Sequence, residues 1–233
     1  MSQPKQENAL INLAFNIVIP VLILNKGSQK LGAAYALLIA LAFPLAFGLF
    51  DLYKKRKWNA FSILGFTNVL VTGSLAVAGL GGIWFSIKEA FFPFLIGIFV
   101  WYSSLREKPL VQTFLLNPHT MNIETIEERL KSNQKQGEFL KHLQFSTKLL
   151  ACSFFLSAAL NFFLAERIFT PLAESLDSEA KSVALNQQIA QMTTWSSVVI
   201  VIPSMVFLIA ILLHLLKGIR QLTGLQTDEI LKG

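Results

Sequence analysis

Six stretches of this chain approach the roughly 20 consecutive apolar residues that a helix needs to cross a lipid bilayer. They cover about 8–24, 31–50, 58–78, 83–103, 148–165 and 197–216. In hydrocarbon every backbone N–H and C=O must be satisfied by the protein itself, and a helix does so within one segment. The runs therefore predict an all-α polytopic membrane protein, a single membrane domain over residues 1–233 with six transmembrane helices. Composition agrees, since only 15% of the residues are charged, against about 25% in a soluble domain. The first run has no A-x-A cleavage site and its flank, "MSQPKQE", is hardly basic. It reads as a retained span rather than a signal peptide.

Lys and Arg residues set the orientation. With the N-terminus in the cytoplasm, 15 of the 20 basic residues fall on inside segments: Lys5, the cluster Lys54, Lys55, Arg56 and Lys57, then Arg106 to Lys148, and the tail. Only Lys26, Lys30, Arg167 and Lys181 fall outside, with Lys88 set apart. That asymmetry places both termini in the cytoplasm. The net charge of +6 then points to the anionic inner leaflet and not to nucleic acid, with Lys54, Lys55, Arg56, Lys57 and Lys108 as candidate inner-leaflet or partner contacts. A single cysteine, Cys152, excludes a disulfide within the chain and a thiolate metal site.

Two segments lie outside the runs. In the cytoplasmic loop, 105–147, "NIETIEERLKSNQKQGEFLKHLQF" carries Ile123, Ile126 and Leu130, then Phe139, Leu140 and Leu143, at helical spacing. This predicts a surface-lying amphipathic helix or pair, capped by Thr120 or Asn122 and interrupted near Gly137. On the other side, 170–194 predicts a short extracytoplasmic helix, with Pro171 suited to its start. An internal repeat accompanies the runs: "FPLAFGLFDLY" from Phe43 and "FPFLIGIFVWY" from Phe92 share F-P-x-x-x-G-x-F-x-x-Y at an offset of 49 residues. Duplicated hairpins would produce it; so would convergence on Phe- and Gly-rich helices with aromatic ends.

Polar side chains inside spans are costly and therefore candidates for function. Asn8, Asn12 and Asn16 step by four along the first span; Gly65, Asn68 and Thr72 share a side of the third. Ser153, Ser157 and Asn161 do the same in the fifth. Such faces either line a polar path or hydrogen-bond helix to helix. His214 reads as interfacial. Lys88 and Glu89, in "GGIWFSIKEAFFPFLIG", are the sharpest feature. Lys88 lies about 7–8 Å below Ile83 along the axis, so its stem can snorkel outward beside Trp84. Glu89 is too short for that. It faces the bundle, keeps a proton, or meets a partner such as Lys26, Lys30 or Asn25. No Walker, HExxH or GxSxG motif and no Cys/His ligand cluster occurs, so no enzymatic activity, cofactor or metal is expected.

"IWFSIKEAFFPFLIGIFVWYSSLREKPLVQTFL", "LQFSTKLLACSFFLSAALNFFLAE", "NLAFNIVIPVLILNKGSQKLG" and "RQLTGL" together resemble the intracellular septation protein A family and an uncharacterised bacterial branch related to it. Lys88, Lys108, Pro109 and Asn161 carry the resemblance. The chain departs from the family in Glu89, in its longer cytoplasmic loop and in the outer 170–194 helix. The resemblance implies a multi-pass bacterial inner-membrane protein, non-enzymatic, supporting envelope organisation or division. Its expected contacts are membrane lipids, with envelope or division proteins and a second copy of the chain as candidate partners. The alternative is a small secondary transporter with an intramembrane polar site around Lys88 and Glu89, with Asn12, Asn16, Asn68 and Asn161 as further candidates.

Overall fold

A computed structural model describes residues 17–55, 60–78, 80–116 and 120–231. Their regular structure is helical, apart from one isolated antiparallel bridge between Met121 and Leu231. In chain order the helices are α1 (Ile19–Leu22) and α2 (Ser28–Leu31), joined through a π-helical turn at Ile23–Gly27, then α3 (Ala33–Lys55) and α4 (Ala60–Val77). Next come α5 (Ile83–Ser103), α6 (Leu110–Leu115), α7 (Ile123–Ser132), α8 (Gln136–Ile168), α9 (Ser178–Val199), α10 (Val201–Thr223) and α11 (Thr227–Ile230).

Among the described residues, three helical stretches are long and apolar enough to cross a membrane: Ile83–Ser103, Gln136–Ile168 and Ser178–Thr223. Unlike a soluble helix, each also displays bulky apolar side chains on its outward face. On α5 the exposed positions include Trp84, Ile87, Phe91, Phe94, Leu95, Ile98 and Trp101, while Phe85, Ser86, Lys88 and Val100 are buried. On α10, Val201, Ile202, Met205, Val206, Ile209 and Leu213 are exposed. Only 28%, 17% and 11% of the three apolar windows is buried within the protein. Soluble monomers rarely expose contiguous apolar patches above a few hundred Å², so these outward faces are suited to lipid. The coarse class expected from the sequence, an all-helical membrane protein, has this physical basis.

Contacts divide the chain into two compact units, one from Met1–Ala90 with Leu160–Ile200, the other from Phe91–Ala159 with Val201–Gly233. In the first, Phe85 stacks on Phe169 with ring centroids 4.4 Å apart, within a core that includes Leu24, Leu37, Leu185 and Met192. A buried polar relay ties α9 to the first turn of α3. The Asn186 amide donates to the Ser28 hydroxyl (3.0 Å) and the Ala33 carbonyl (2.8 Å), and Ser28 donates onward to the Leu24 carbonyl (2.7 Å). Gly32 between α2 and α3 has φ 83°, and Gly82 just before α5 has φ 56°; both are left-handed conformations that glycine adopts without strain. The two F-P-x-x-x-G-x-F-x-x-Y copies lie on the helices that follow these glycines, each with its proline, Pro44 or Pro93, inside the helix.

In the second unit, α6, α7, the start of α8, the end of α10 and α11 share a core around Val111, Ile126, Leu143, Leu215 and Ile230. Asn122 donates its side-chain amide to the Glu229 carbonyl (2.8 Å) and its backbone N–H to the Ile230 carbonyl (2.9 Å). Asn133 donates its amide to the Leu222 carbonyl (3.0 Å).

The 105–147 segment does form a helix pair, interrupted at residues 133–135, just before Gly137. Its first helix ends at Ser132, with Gln134 at φ 57°, and α8 then runs without a break from Gln136 into the expected fifth span. At about 1.5 Å per residue, its 33 residues reach about 50 Å, against a hydrocarbon core of about 30 Å. Several local expectations are corrected. Helix α7 does not lie on a surface with its apolar face free: Ile126 and Leu130 are buried in the core of the second unit. Asn122 stands at the N-cap position of α7 but bonds α11 instead of capping. The outer helix starts not at Pro171 but at Ser178, where Asp177 Oδ1 accepts from the Ala180 N–H at 2.7 Å. It then continues through a single turn residue, Ile200, into α10. Pro203 has no N–H to return to the Val199 carbonyl, which accounts for the interruption there.

Candidate functional site

Lys88 and Glu89 form an ion pair: Lys88 Nζ donates to Glu89 Oε1 at 2.6 Å, with side chains 6% and 21% exposed. This corrects the outward reading of Lys88, while Glu89 does pair with a cation, though not with one of the partners expected. Lys88 does not snorkel outward beside Trp84, and Glu89's partner is its neighbour rather than Lys26, Lys30 or Asn25. The reason lies in helix geometry. Lys88 and Glu89 are three and four residues beyond Phe85, so both lie one turn along on its buried face. They flank that direction from either side, and the four-carbon stem of the lysine closes the gap. Ser86 on the same helix is buried, and its hydroxyl has no hydrogen-bond partner. Pro93 removes the amide hydrogen that would have bonded the Glu89 carbonyl. Polar groups therefore concentrate along the first half of α5.

The other intramembrane candidates do not gather around this pair as one polar face. Asn68 is exposed; Thr72, one turn on, is buried and returns its hydroxyl to the Asn68 carbonyl at 2.8 Å. Asn161 is half-buried and engaged. Ser153 bonds the Leu150 carbonyl of its own helix at 2.7 Å. Asn12 and Asn16 lie outside the described residues, as do Arg56 and Lys57, and nothing is described of the Lys54 and Lys55 side chains. Lys108 is exposed, followed by buried Pro109. Arg106 stands over the Tyr102 ring (4.9 Å to its centroid) and donates to the Tyr102 hydroxyl at 3.1 Å. Among the described residues no group of three His, Cys, Asp or Glu could hold a metal ion.

A second site was not read from the sequence. Where α5 begins, Gly81 and Gly82 border a cavity of about 630 Å³ that is also lined by Ala76, the Thr170–Leu172 turn and the first turns of α9. The Phe85–Phe169 stack anchors this corner, and a Cβ on Gly82 would stand 3.6 Å from the Phe169 carbonyl. Gln188 spans the cavity wall, donating to both the Thr170 carbonyl (3.1 Å) and the Thr170 hydroxyl (3.3 Å). Asn25, Gln187, Gln188 and Gln191 line a smaller cavity of about 320 Å³. The sequence signal was present in the glycine pair and the amide-rich run "NQQIAQ", but only folding brings 81–82, 170–172 and 178–188 together.

Neither protein-family models, nor characterised proteins, nor solved structures gave a match to this chain.

Proposed function

We propose that this chain is a six-span bacterial inner-membrane protein, with both termini in the cytoplasm and of the septation protein A type. Its role is to support envelope organisation or division through lipid or protein contacts, without an enzymatic step. The observation that carries the reading is the outward display of bulky apolar side chains along α5, α8 and α10, whose apolar windows are only 28%, 17% and 11% buried within the protein. Helices α3 and α4, which overlap the expected spans at 31–50 and 58–78, support the further spans. Contact with the anionic inner leaflet is supported by exposed Arg106, Lys108, Arg129, Lys131 and Lys141. Because the apolar face of α7 is already covered, this contact is electrostatic and salt-sensitive.

A direct test places an environment-sensitive dye at residue 131, using Lys131→Cys on a Cys152→Ser background, in the full chain in nanodiscs. Emission is expected to shift to the blue as the anionic lipid fraction rises, and to revert in high salt. Emission that is indifferent to lipid charge removes the lipid half of the proposal. The buried charge pair favours a second reading, a small secondary transporter working through Lys88 and Glu89. That reading fails if Glu89→Gln and Lys88→Ala leave both uptake and growth unchanged.

A further inference from the structure

We propose that the cavity beside the Gly81–Gly82 turn binds a phosphoryl group, carried either by a lipid headgroup or by a small soluble ester. The inference rests on the six-span reading, which puts this cavity on the extracytoplasmic side. Its volume, about 630 Å³, is in the range of small-molecule sites. Among the described residues of its lining the only ionisable side chain is Lys181, half-buried and with no carboxylate partner among the described residues.

Two exposed residues beside it, Thr170 and Ser178, carry hydroxyl groups. Thr170 accepts from Gln188, which leaves its own proton free, and Ser178 Oγ has no protein partner among the described residues. Ser182, by contrast, spends its proton on the Ser178 carbonyl. Nearby Asp177 is committed to the Ala180 N–H. One ammonium and two hydroxyl donors suit a compact acceptor-only anion, and a phosphoryl oxygen is such an acceptor. A cation would find no carboxylate among the described lining residues. A neutral sugar would leave the ammonium unpaired. Ala76, Leu172 and Leu185 give the same cavity an apolar side, which a glycerol backbone or the first methylenes of an acyl chain would cover.

The test uses the full-length protein in a neutral detergent and titrates three probes by calorimetry: dihexanoyl phosphatidylglycerol, glycerol 3-phosphate, and dihexanoyl glycerol without phosphate. Saturable binding of the first with none of the third is expected. Binding of glycerol 3-phosphate at comparable affinity would identify a soluble ester, and its absence a lipid. Lys181→Ala is expected to weaken binding at least about tenfold, and Thr170→Val by a few-fold, with Lys181→Arg retaining it and Lys30→Ala as an unaffected surface control. If the Lys181→Ala protein does not fold, Thr170→Val and Lys181→Arg carry the comparison. Equal binding of all three probes, no binding, or affinity indifferent to Lys181 and Thr170 overturns the proposal. Labelling of Ser182→Cys, on the Cys152→Ser background in intact cells, with a membrane-impermeant thiol reagent tests the sidedness separately. Failure of the six-span reading is thereby distinguishable from failure of the site.

Discussion

At the scale of single residues, the Lys88–Glu89 pair sets the strongest constraint. A charged group left alone in a low-dielectric interior costs far more than a satisfied pair. Glu89→Gln, which strands the Lys88 ammonium, is expected to destabilise the protein by about 1.5–3 kcal/mol, measured by thermal unfolding in detergent. Combining Lys88→Met with Glu89→Gln should recover most of that loss, because no charge remains to be compensated. A pair that serves only as surface decoration would give additive effects within about 0.5 kcal/mol. The sequence made these two residues conspicuous, yet their pairing was not legible in it. The 100° step between neighbours argues against a shared surface, until Phe85 is seen to define the buried direction that both flank. Asn186 was missed altogether. A single amide in a polar run gives no sign that it will bridge Ser28 and Ala33 from a helix more than 150 positions away.

At the scale of elements, close approach between helices is governed by glycine and by rings. A Cβ at Gly218 on α10 would stand 2.1 Å from Nε2 of His142 on α8, whose ring lies 4.6 Å from that of His214. Gly218→Ala is therefore expected to cost about 1–3 kcal/mol through overpacking. Adding His142→Ala should relieve that clash, a rescue that a mere change in helix propensity would not show. Gly97 on α5 stands in the same relation to Phe155 on α8, where a Cβ would be 2.6 Å from the ring. Apolar run length made the long helices legible, since period and length are local properties. Their ends were not. The continuous entry of α8 into its span and the start of α9 at Asp177 depend on which caps and turns win locally. The helical pattern of α7 was also legible, but its burial partners, α10 and α11, come from the far end of the chain.

At the scale of the whole molecule, orientation is the quantity to measure. With six spans, single cysteines on the Cys152→Ser background at residues 29 and 182 are expected to react with an impermeant thiol reagent in intact cells. Cysteines at residues 131 and 226 should react only after permeabilisation. Labelling at residue 131 in intact cells would invert or reduce the topology. Replacing the Lys54–Lys57 cluster with neutral residues should raise the fraction of misoriented chains, because basic residues near span ends dominate sidedness.

The bridge between Met121 and Leu231 bears on the order of synthesis. Asn122 and its acceptor on Glu229 are 107 positions apart. At translation rates of about 5–20 residues per second, α7 waits roughly 5–20 s on the ribosome before its partner exists. During that interval Ile126 and Leu130, buried at the end, have nothing of this chain's carboxyl-terminal helices to cover them. The apolar face that finishes inside the protein is thus a transient client surface, open to a chaperone or to the lipid beside it until α10 and α11 are made.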